Sequence, residues 1–378
     1  MNSKTYDVVI IGGGIVGAAC AAEFVKASLS VAIVESKMIG GGATAAGMGH
    51  LVVMDDSEAQ FALTSYSQSL WGEIRDQLPQ KVAFDSCGTI WVAADDGEMA
   101  EVARKENFYK KRGVAVEILD RKSLEEAEPS LRKGLVGGLH VPGDSVIYPP
   151  SAAQFLVNKA VVSSKNSSLI LGRAVTKITK NGVRLADGEV ISSGKVVNAT
   201  GTWAPELTSN IALQKRKGHL VITDRYPGFL KHQIVELGYL KSAHSIAADS
   251  VAFNVQPRSN GQLLIGSSRQ YGVTTNEINQ PILSQMLRRA FEYIPSLKRL
   301  SAIRAWTGFR AATPDKLPLI GPTGEDENIY LATGHEGLGI TTSVATARLL
   351  VDQILNRVPA IPIEPYLPSR ATSQVGHA

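Results

Sequence analysis

Residues 8–35 of the chain read VVIIGGGIVGAACAAEFVKASLSVAIVE. The apolar run Val8–Ile11 predicts a short buried strand of a parallel sheet, and the alanine-rich stretch from Ile15 to Val25 predicts the helix that follows it. A second apolar run, Leu29–Val34, predicts a neighbouring strand. The whole stretch therefore predicts a βαβ unit that opens an α/β fold.

Three glycines in this stretch follow the spacing G-x-G-x-x-G, and an acid ends the second strand. Gly12 permits a tight turn, Gly14 lets the backbone approach a pyrophosphate, and Gly17 lets the helix pack closely on the strand. The helix N-terminus favours phosphates, and Glu35 is placed to accept hydrogen bonds from ribose hydroxyls. The residues of the predicted dinucleotide site are Gly12, Gly14, Ile15, Val16, Gly17, Glu35 and Ser36.

A second run of small residues, Gly40–His50, follows the acid directly. Small side chains let the backbone lie against a large flat ligand. An NAD site needs no such second run, whereas FAD, with its ribityl chain and isoalloxazine ring, does. The sequence therefore favours FAD, and the predicted contacts in this run are Gly42, Ala43, Thr44, Gly47, Met48 and Gly49.

The composition limits the class of protein. The chain has 378 residues, a formal net charge of +4 and two cysteines, which fits two or three domains and gives no strong basic surface for nucleic acid. Neither a disulfide framework nor a metal cluster can be built from Cys20 and Cys87. Because no signal-peptide pattern and no apolar stretch of about 18 residues occurs, we expect a cytoplasmic enzyme. Peripheral docking on the inner membrane stays open.

Beyond its N-terminus, the chain resembles the D-amino-acid-oxidase/glycine-oxidase superfamily of FAD enzymes over most of its length. Besides the glycine fingerprint, the resemblance rests on Ala43–Gly49 (ATAAGMG), Val196–Leu207 (VVNATGTWAPEL), Gly308–Arg310 followed by Leu317–Gly321 (LPLIG), and Gly334–Thr342 (GHEGLGITT). It implies a discontinuous Rossmann-like FAD-binding domain and an α+β substrate domain built on an antiparallel sheet. We expect residues 1–81, 146–215 and 306–360 in the first domain, 82–145 and 216–305 in the second, and 361–378 as a loose tail.

Within the superfamily, the chain resembles most the catalytic subunits of bacterial D-hydroxyproline dehydrogenases, with opine oxidase β-subunits and hydrogen cyanide synthase subunits as near relatives. The segment Ala43–Asp56 (ATAAGMGHLVVMDD) carries this resemblance. It implies oxidation of a small, cyclic or secondary amino acid to its imine, by hydride transfer to flavin N5. Glycine oxidases carry an arginine where this chain has Gly337, which argues against glycine as the substrate.

The final glycine block precedes a predicted helix, Ile340–Leu355. Its N–H groups could face the flavin's pyrimidine end, where negative charge grows on reduction, or they could form a simple helix-entry loop. The predicted contacts are Gly334, Gly337, Leu338, Gly339, Ile340 and Thr341, to which the resemblance adds Val175 beside the adenine and Gly201 under the cofactor.

Arg310 is the residue predicted to bind the substrate. It ends the run Ala305–Phe309 (AWTGF), and a planar guanidinium can hold a carboxylate by two parallel hydrogen bonds. From the residues alone, an ion pair with a structural acid such as Asp315 fits as well. The matching arginine of the resembling superfamily binds the substrate carboxylate, which implies the same role here.

Two histidines flank the predicted flavin position. Either His50 or His335 could take the amine proton, because histidine titrates near neutral pH, and a structural histidine fits each position as well. His219 and His244 are weaker candidates. The aromatic residues that could line an apolar pocket, or belong to the core, are Tyr148, Tyr239, Phe253 and Trp306.

Two departures from relatives bear on the redox partners. Some sarcosine-oxidase-type enzymes attach flavin through a cysteine after the arginine region, where this chain has Ala311, Ala312 and Thr313. We therefore expect non-covalent FAD. Two cysteines cannot hold an iron–sulfur cluster, so electrons would pass to partner subunits, to a quinone or, in an oxidase, to oxygen.

Three other functions remain open on the sequence. A glycine- or sarcosine-type amine oxidase would produce hydrogen peroxide. A flavin-bearing assembly subunit would have little activity of its own, and an NAD(P)-dependent dehydrogenase would be colourless when purified.

Overall fold

The computed structural model describes residues 5–238 and 249–372. Its strands are, in chain order, β1 (Thr5–Ile11), β2 (Val31–Glu35), β3 (His50–Leu51), β4 (Thr89–Ala93), β5 (Glu117–Asp120), β6 (Gly137–Val141), β7 (Ser145–Val146), β8 (Ser168–Leu171), β9 (Val175–Thr179), β10 (Gly182–Leu185), β11 (Val190–Asn198), β12 (Gln214–Arg225), β13 (Gln233–Glu236), β14 (Ser250–Pro257), β15 (Gln262–Arg269), β16 (Ala302–Ala312), β17 (Leu319–Pro322) and β18 (Ile329–Thr333).

The helices are α1 (Ile15–Lys26), α2 (Gly42–Ala45), α3 (Glu58–Ile74), α4 (Asp96–Lys110), α5 (Arg121–Ala127), α6 (Pro149–Ser163), α7 (Ala204–Leu207), α8 (Gln280–Tyr293), α9 (Gly339–Ile354) and α10 (Ser369–Thr372). Short 3-10 helices lie at Arg75–Gln77, Gln80–Val82, Gly201–Trp203, Pro295–Arg299 and Glu364–Tyr366. Within the described ranges, no helix combines the length and the apolar character needed to cross a membrane.

The first sheet is built on the predicted βαβ unit. Its strand order is β17-β18-β11-β1-β2-β8, and β1 pairs in parallel with both β2 and β11. The run Val8–Ile11 is almost completely buried, because α1 and α9 cover one face and a smaller apolar cluster covers the other. The turns Asn181-Gly182 and Asp187-Gly188, dipeptides typical of hairpins, join β9, β10 and β11 as antiparallel hairpins.

The second sheet has the strand order β16-β12-β15-β14-β13-β4-β6-β5. Its pairings are antiparallel except for β13 with β4, which is parallel. α8 packs on one face, with Met286 and Ala290 fully buried against β14 and β15. The predicted α/β fold with a Rossmann-like part and an antiparallel sheet is confirmed.

The structure differs from the sequence prediction at two kinds of boundary. β12 and β16 pair along their length, so the predicted limits at 215/216 and 305/306 cut through strands of one sheet. The tail beyond 360 is packed rather than loose as far as it is described: Tyr366 is 1% exposed, and its hydroxyl donates to the Ala59 carbonyl at 2.6 Å. α5 begins directly after Asp120, whose carboxylate caps the helix by accepting from the Ser123 N–H at 2.7 Å.

The loop of small residues after β2 lies between the two sheets. A Cβ at Gly308 in β16 would overlap the Ala46 side chain, so this loop packs directly on the second sheet. Arg258, just after β14, donates to the carbonyl oxygens of Met48 and Ile147, each at 2.7 Å. The second sheet thereby fixes the loop that the sequence predicts to contact FAD.

Candidate active site

The packing of the fold itself requires glycine at two positions of the fingerprint, Gly12 and Gly17, but not at the third, Gly14. Gly12 has φ +106°, and a Cβ there would lie 2.7 Å from the Ala199 carbonyl oxygen. A Cβ at Gly17 would overlap the Gly12 carbonyl oxygen. Both glycines therefore let the strand, the turn and α1 approach one another, with or without a ligand.

Gly14 differs from these two. It is the N-cap of α1, with φ −66° and ψ 175° and no side-chain capping bond, a conformation open to any residue. A Cβ there would meet only the Thr44 hydroxyl oxygen, at 3.4 Å. Glycine at this position is thus not required by the packing of the protein itself, and the N–H groups of the helix N-terminus favour an anion such as a pyrophosphate.

Glu35 stands at the carboxyl end of β2, in its predicted place. One of its oxygens accepts from the Gly13 N–H at 2.7 Å and the other from the Lys37 N–H at 2.8 Å. The exposed Ser36 lies next to it. These bonds hold the carboxylate beside the fingerprint turn, where its remaining lone pairs can accept from a ribose.

The three glycine-rich stretches come together in space. The Thr44 hydroxyl accepts from the Ile15 N–H at 3.0 Å. A Cβ at Gly47 would lie 2.8 Å from the Ile340 side chain, and one at Gly339 would lie 3.9 Å from Val16. The Thr341 hydroxyl donates to the His50 carbonyl at 2.8 Å. The three stretches therefore lie against one another, which is the arrangement that binding of one dinucleotide cofactor requires.

The remaining predicted cofactor residues lie around the same loops. Gly49 has φ +97°, Gly201 has φ +63° and Gly334 has φ +79°, so each makes a turn that a side chain would disfavour. The Gly201 carbonyl accepts from the Thr333 hydroxyl at 2.9 Å. Val175 begins β9 and packs against the apolar cluster on the far face of β1 and β2. Ala43 lies in α2, and Met48 is buried.

A pocket that is partly open to solvent lies between the second sheet and the final glycine loop. Its polar lining includes His50, Trp91, Arg216, Gln233, Asn254, Arg269 and Glu336, and Gly337 and Leu338 close it on the cofactor side. Most of these side chains project from β4, β12, β13, β14 and β15.

Arg310 lies on β16 directly opposite Arg216 on β12. One of its terminal nitrogens donates to the Ser268 carbonyl at 3.0 Å. A Cβ at Gly218 would lie 2.6 Å from the guanidinium, so glycine at that position makes room for it. Its alternative partner Asp315 forms an ion pair with Arg370, at 2.7 Å. Arg310 shares a strand face with Gly308, which touches the cofactor loop at Ala46.

A charged cluster beside Arg310 was not predicted from the sequence. Glu336, at φ +48° in the final glycine block, forms a close ion pair with Arg216, and Arg269 approaches it to 3.9 Å. Burial alone would raise the pKa of Glu336, but Arg269, Arg216 and Arg310 together lower it below its usual value. Three guanidinium groups around one carboxylate leave this end of the pocket positively charged.

His50 lies in the pocket wall with both ring nitrogens engaged. Nδ1 lies in close hydrogen-bond contact with the Gln233 side-chain oxygen, and Nε2 lies 3.3 Å from the Asn254 side-chain nitrogen. Burial, followed by nearby Arg258 and Arg310, lowers the pKa of His50 to about 4. His50 is therefore neutral at physiological pH, and its unprotonated ring nitrogen already accepts a hydrogen bond.

Two other predicted histidines have structural positions. His335 is buried, its Nε2 is 3.0 Å from the Thr346 hydroxyl on α9, and burial lowers its pKa to about 3. His219 is bonded to Ser268 and accepts from the Asn279 N–H at 3.0 Å. His335 is not among the residues that line the pocket, and its Nε2 is already engaged by Thr346, so a role for it in taking the amine proton stays a prediction.

Two of the aromatic residues that the sequence offered for the pocket lie elsewhere in the structure. Phe253 stacks on Tyr293 in the core, with ring centroids 4.6 Å apart, and Tyr148 is 48% exposed. The aromatic residue that does line the pocket is Trp91. Tyr239 and His244 lie outside the described residues.

Comparison with known proteins decides the family. The family model described as FAD dependent oxidoreductase matches residues 7–353. The chain belongs to this family. The predicted superfamily and the predicted FAD cofactor are thereby confirmed, and the three glycine-rich stretches provide a cradle that fits FAD.

Relatives of this FAD dependent oxidoreductase match it from end to end. Hydrogen cyanide synthase subunit HcnC of Pseudomonas aeruginosa is 27% identical over 97% of both chains. Glycine oxidase of Geobacillus kaustophilus is 28% identical over 98% of both chains, and its crystal structure superposes with a TM-score of 0.87 over 97% of this chain and 99% of that one. L-proline dehydrogenase from P. horikoshii shares the fold, with a TM-score of 0.87 at 24% identity over 98% and 99% of the two chains.

Asp144, behind the pocket, gives a pH-dependent prediction for this oxidoreductase. One of its oxygens accepts from the Val53 N–H and the Gln68 amide, each at 3.1 Å, and the other has no partner among the described residues. Burial raises the pKa of Asp144 from its usual 3.8 to about 7. Between the unfolded pKa and pH 7, the unfolded chain ionises Asp144 while the folded chain keeps it protonated. The free energy of unfolding is therefore highest below the unfolded pKa and falls as the pH rises toward 7.

In Asp144→Asn this loss is absent. We expect the variant to gain stability relative to the wild type between pH 4 and pH 8, by up to about 4 kcal/mol. Urea unfolding at a series of pH values measures the difference, and a difference that stays constant with pH would contradict the prediction.

Proposed function

We propose that this oxidoreductase oxidises the carbon–nitrogen bond of a small amino acid to an imine, and that D-hydroxyproline or a related cyclic or secondary amino acid is its substrate. The observation that carries the proposal is Arg310, whose guanidinium lies 3.9 Å from the Cβ position of the pocket-lining Gly337 and acts on the charge of the pocket-lining Glu336. Its relatives include a glycine oxidase and a D-amino acid dehydrogenase, and an L-proline dehydrogenase shares its fold. The amino acids in these names share a carboxylate on the carbon next to the nitrogen.

Each part of the site has a task in this proposal. Arg310 holds the substrate carboxylate by two parallel hydrogen bonds and so sets the orientation of the neighbouring C–H bond. FAD, when bound non-covalently in the glycine cradle, supplies the acceptor for the hydride. Glu336 keeps Arg216 in place and limits the positive charge beside Arg310.

The substrate amine must lose its proton before the C–H bond is oxidised. His50 is neutral and already engaged, so it is not the base in this proposal. The cluster of arginines disfavours a further positive charge, and like charges lower the pKa of an ammonium group. We propose that the substrate binds with a neutral amine, because the positively charged pocket disfavours the ammonium form.

This gives a prediction for the pH profile. We expect kcat/KM to rise with pH along a limb that follows the amine pKa of the substrate, because kcat/KM reports the free reactants. Profiles with two substrates of different amine pKa measure this. A limb at one fixed pH for both substrates would instead indicate a base of the enzyme.

A second candidate is a glycine- or sarcosine-type amine oxidase that makes hydrogen peroxide. The 28% identity to glycine oxidase favours it. In the first candidate, electrons leave through a partner subunit or a quinone, which the name of the HcnC subunit supports by analogy.

A panel assay distinguishes the two. The purified, flavin-loaded protein is given D- and L-hydroxyproline, D- and L-proline, sarcosine and glycine, once with an artificial dye and once with oxygen alone. The proposal predicts fast dye reduction with a cyclic acid and slow peroxide formation. Peroxide formed as fast as dye is reduced, with glycine as the best substrate, would support the second candidate.

A further inference from the structure

The wall of the pocket contains a row of three side chains on neighbouring strands. Val235 of β13 pairs with Trp91 of β4 on one side and with Asn254 of β14 on the other, and all three line the pocket. Paired residues on adjacent strands point to the same face. Trp91 and Asn254 therefore stand about 10 Å apart at their Cα atoms, with the shorter Val235 between them.

Two polar atoms in this row have no hydrogen-bond partner among the described residues. They are the indole N–H of Trp91 and the amide oxygen of Asn254, and both are buried in the pocket wall. Trp91 is 4% exposed and Asn254 is 8% exposed. A buried donor or acceptor left unpaired costs about 1–3 kcal/mol, and because Trp91 and Asn254 line the pocket, a group of a bound ligand can pair with both atoms.

The orientation of Asn254 is fixed by a chain of hydrogen bonds. The Gln233 amide donates to the Thr89 hydroxyl at 2.8 Å, which leaves its carbonyl oxygen for His50 Nδ1. Nδ1 must then carry the hydrogen, so Nε2 accepts from the Asn254 amide nitrogen. The amide oxygen of Asn254 is thereby left for the pocket.

Trp91 is held equally firmly. The Lys105 ammonium, itself fully buried, lies 4.5 Å from the centre of the indole ring. Asp55 binds this ammonium in a buried ion pair. The ring of Trp91 therefore cannot turn its N–H away without disturbing a buried charge.

One unpaired donor and one unpaired acceptor define what the row can bind. A carboxylate only accepts hydrogen bonds and an ammonium group only donates them, whereas a hydroxyl does both. We propose that Trp91 and Asn254 form a hydroxyl subsite, which makes the enzyme selective for a hydroxylated amino acid over the same acid without the hydroxyl. This inference rests on the proposed function and assigns the residues that determine its specificity.

Two variants test the subsite. Trp91→Phe removes the N–H and keeps an aromatic ring, and Asn254→Leu removes the whole amide at similar volume, both the acceptor and the donor to His50 Nε2. We expect each to lower kcat/KM for 4-hydroxy-D-proline by about 10- to 100-fold and to change kcat/KM for D-proline less than about threefold. Trp306→Phe is the matched control, because its indole N–H is also unpartnered among the described residues but lies outside the pocket lining; it should change neither.

Flavin content and thermal unfolding are measured for each variant, so that a folding defect is recognised. If Trp91→Phe and Asn254→Leu are loaded with flavin and lower both substrates equally, the hydroxyl subsite is wrong while the proposed function stands. If the wild type oxidises none of the cyclic acids, the proposed function fails, and the subsite with it. A wild type that prefers D-proline to its hydroxylated form would also overturn the subsite.

Discussion

Replacing Arg310 by lysine is expected to raise KM for the amino-acid substrate by about 10- to 100-fold, since a hydrogen bond to a charged group contributes about 1.5–3 kcal/mol. Lysine keeps the positive charge near Glu336 but offers a point charge instead of a planar fork. The substrate carboxylate would then be held in more than one orientation, so kcat should fall as well. Steady-state kinetics with the best acid of the panel measures both constants.

The matched control is Arg304→Lys on the same strand. Arg304 is exposed and stacks on Trp306 at 5.5 Å, so its replacement should leave KM and kcat unchanged. Flavin content should be that of the wild type in both variants, because Arg310 bonds to the Ser268 carbonyl of the second sheet. An Arg310→Lys enzyme with wild-type kinetics would remove this residue from the substrate site.

Gly14→Val is expected to abolish FAD binding while the protein still folds. The extended conformation of Gly14 suits valine, and a Cβ meets only the Thr44 hydroxyl oxygen at 3.4 Å. The added methyl groups would fill the space in front of α1 that the pyrophosphate needs. Flavin absorbance of the purified protein, FAD titration and circular dichroism measure the two effects separately.

Two glycine variants serve as controls for this result. Gly72→Ala in α3 adds a Cβ with nothing within 4 Å and should keep FAD while adding up to about 1 kcal/mol of helix stability. Gly12→Val should destabilise the fold itself, because its Cβ would meet the Ala199 carbonyl oxygen at 2.7 Å. A Gly14→Val protein purified with its full content of flavin would contradict the assignment of this cradle.

The parts of the fold that were predictable depend on local patterns. The βαβ unit follows from apolar runs and glycine spacing over a short stretch, and the hairpins follow from Asn-Gly and Asp-Gly turns. The domain limits were displaced because β12 and β16 pair across a long separation in sequence, for which neither strand carries a local signal. The packing of Tyr366 on Ala59 is likewise a distant contact.

In the site, too, the residues that belong to a local motif were predictable, and those that meet only in the folded chain were not. Arg310 was found through the resemblance of its surrounding motif, not through its spacing. Arg216, Arg269 and Glu336 come from three separate elements, and only the folded chain brings them together. The motif around His335 predicted its loop but not the direction of its side chain, because burial against α9 decides that direction.

The hydrogen-bond chain that engages His50 was beyond sequence analysis for a further reason. It joins His50 to Gln233 and Asn254 on two strands of the second sheet. From the sequence alone, a histidine near a flavin is a candidate base. Its partners show that it is bonded to two neighbouring amides, and in the proposed function it is not the residue that takes the substrate proton.

The most direct test of the central claim is anaerobic mixing of the flavin-loaded protein with each acid of the panel, followed by the flavin absorbance. The account predicts rapid bleaching of the oxidised flavin by a cyclic or secondary amino acid, with 4-hydroxy-D-proline first, and much slower bleaching of the Arg310→Lys variant at equal concentration. Flavin that dithionite reduces but that no amino acid of the panel bleaches would contradict it.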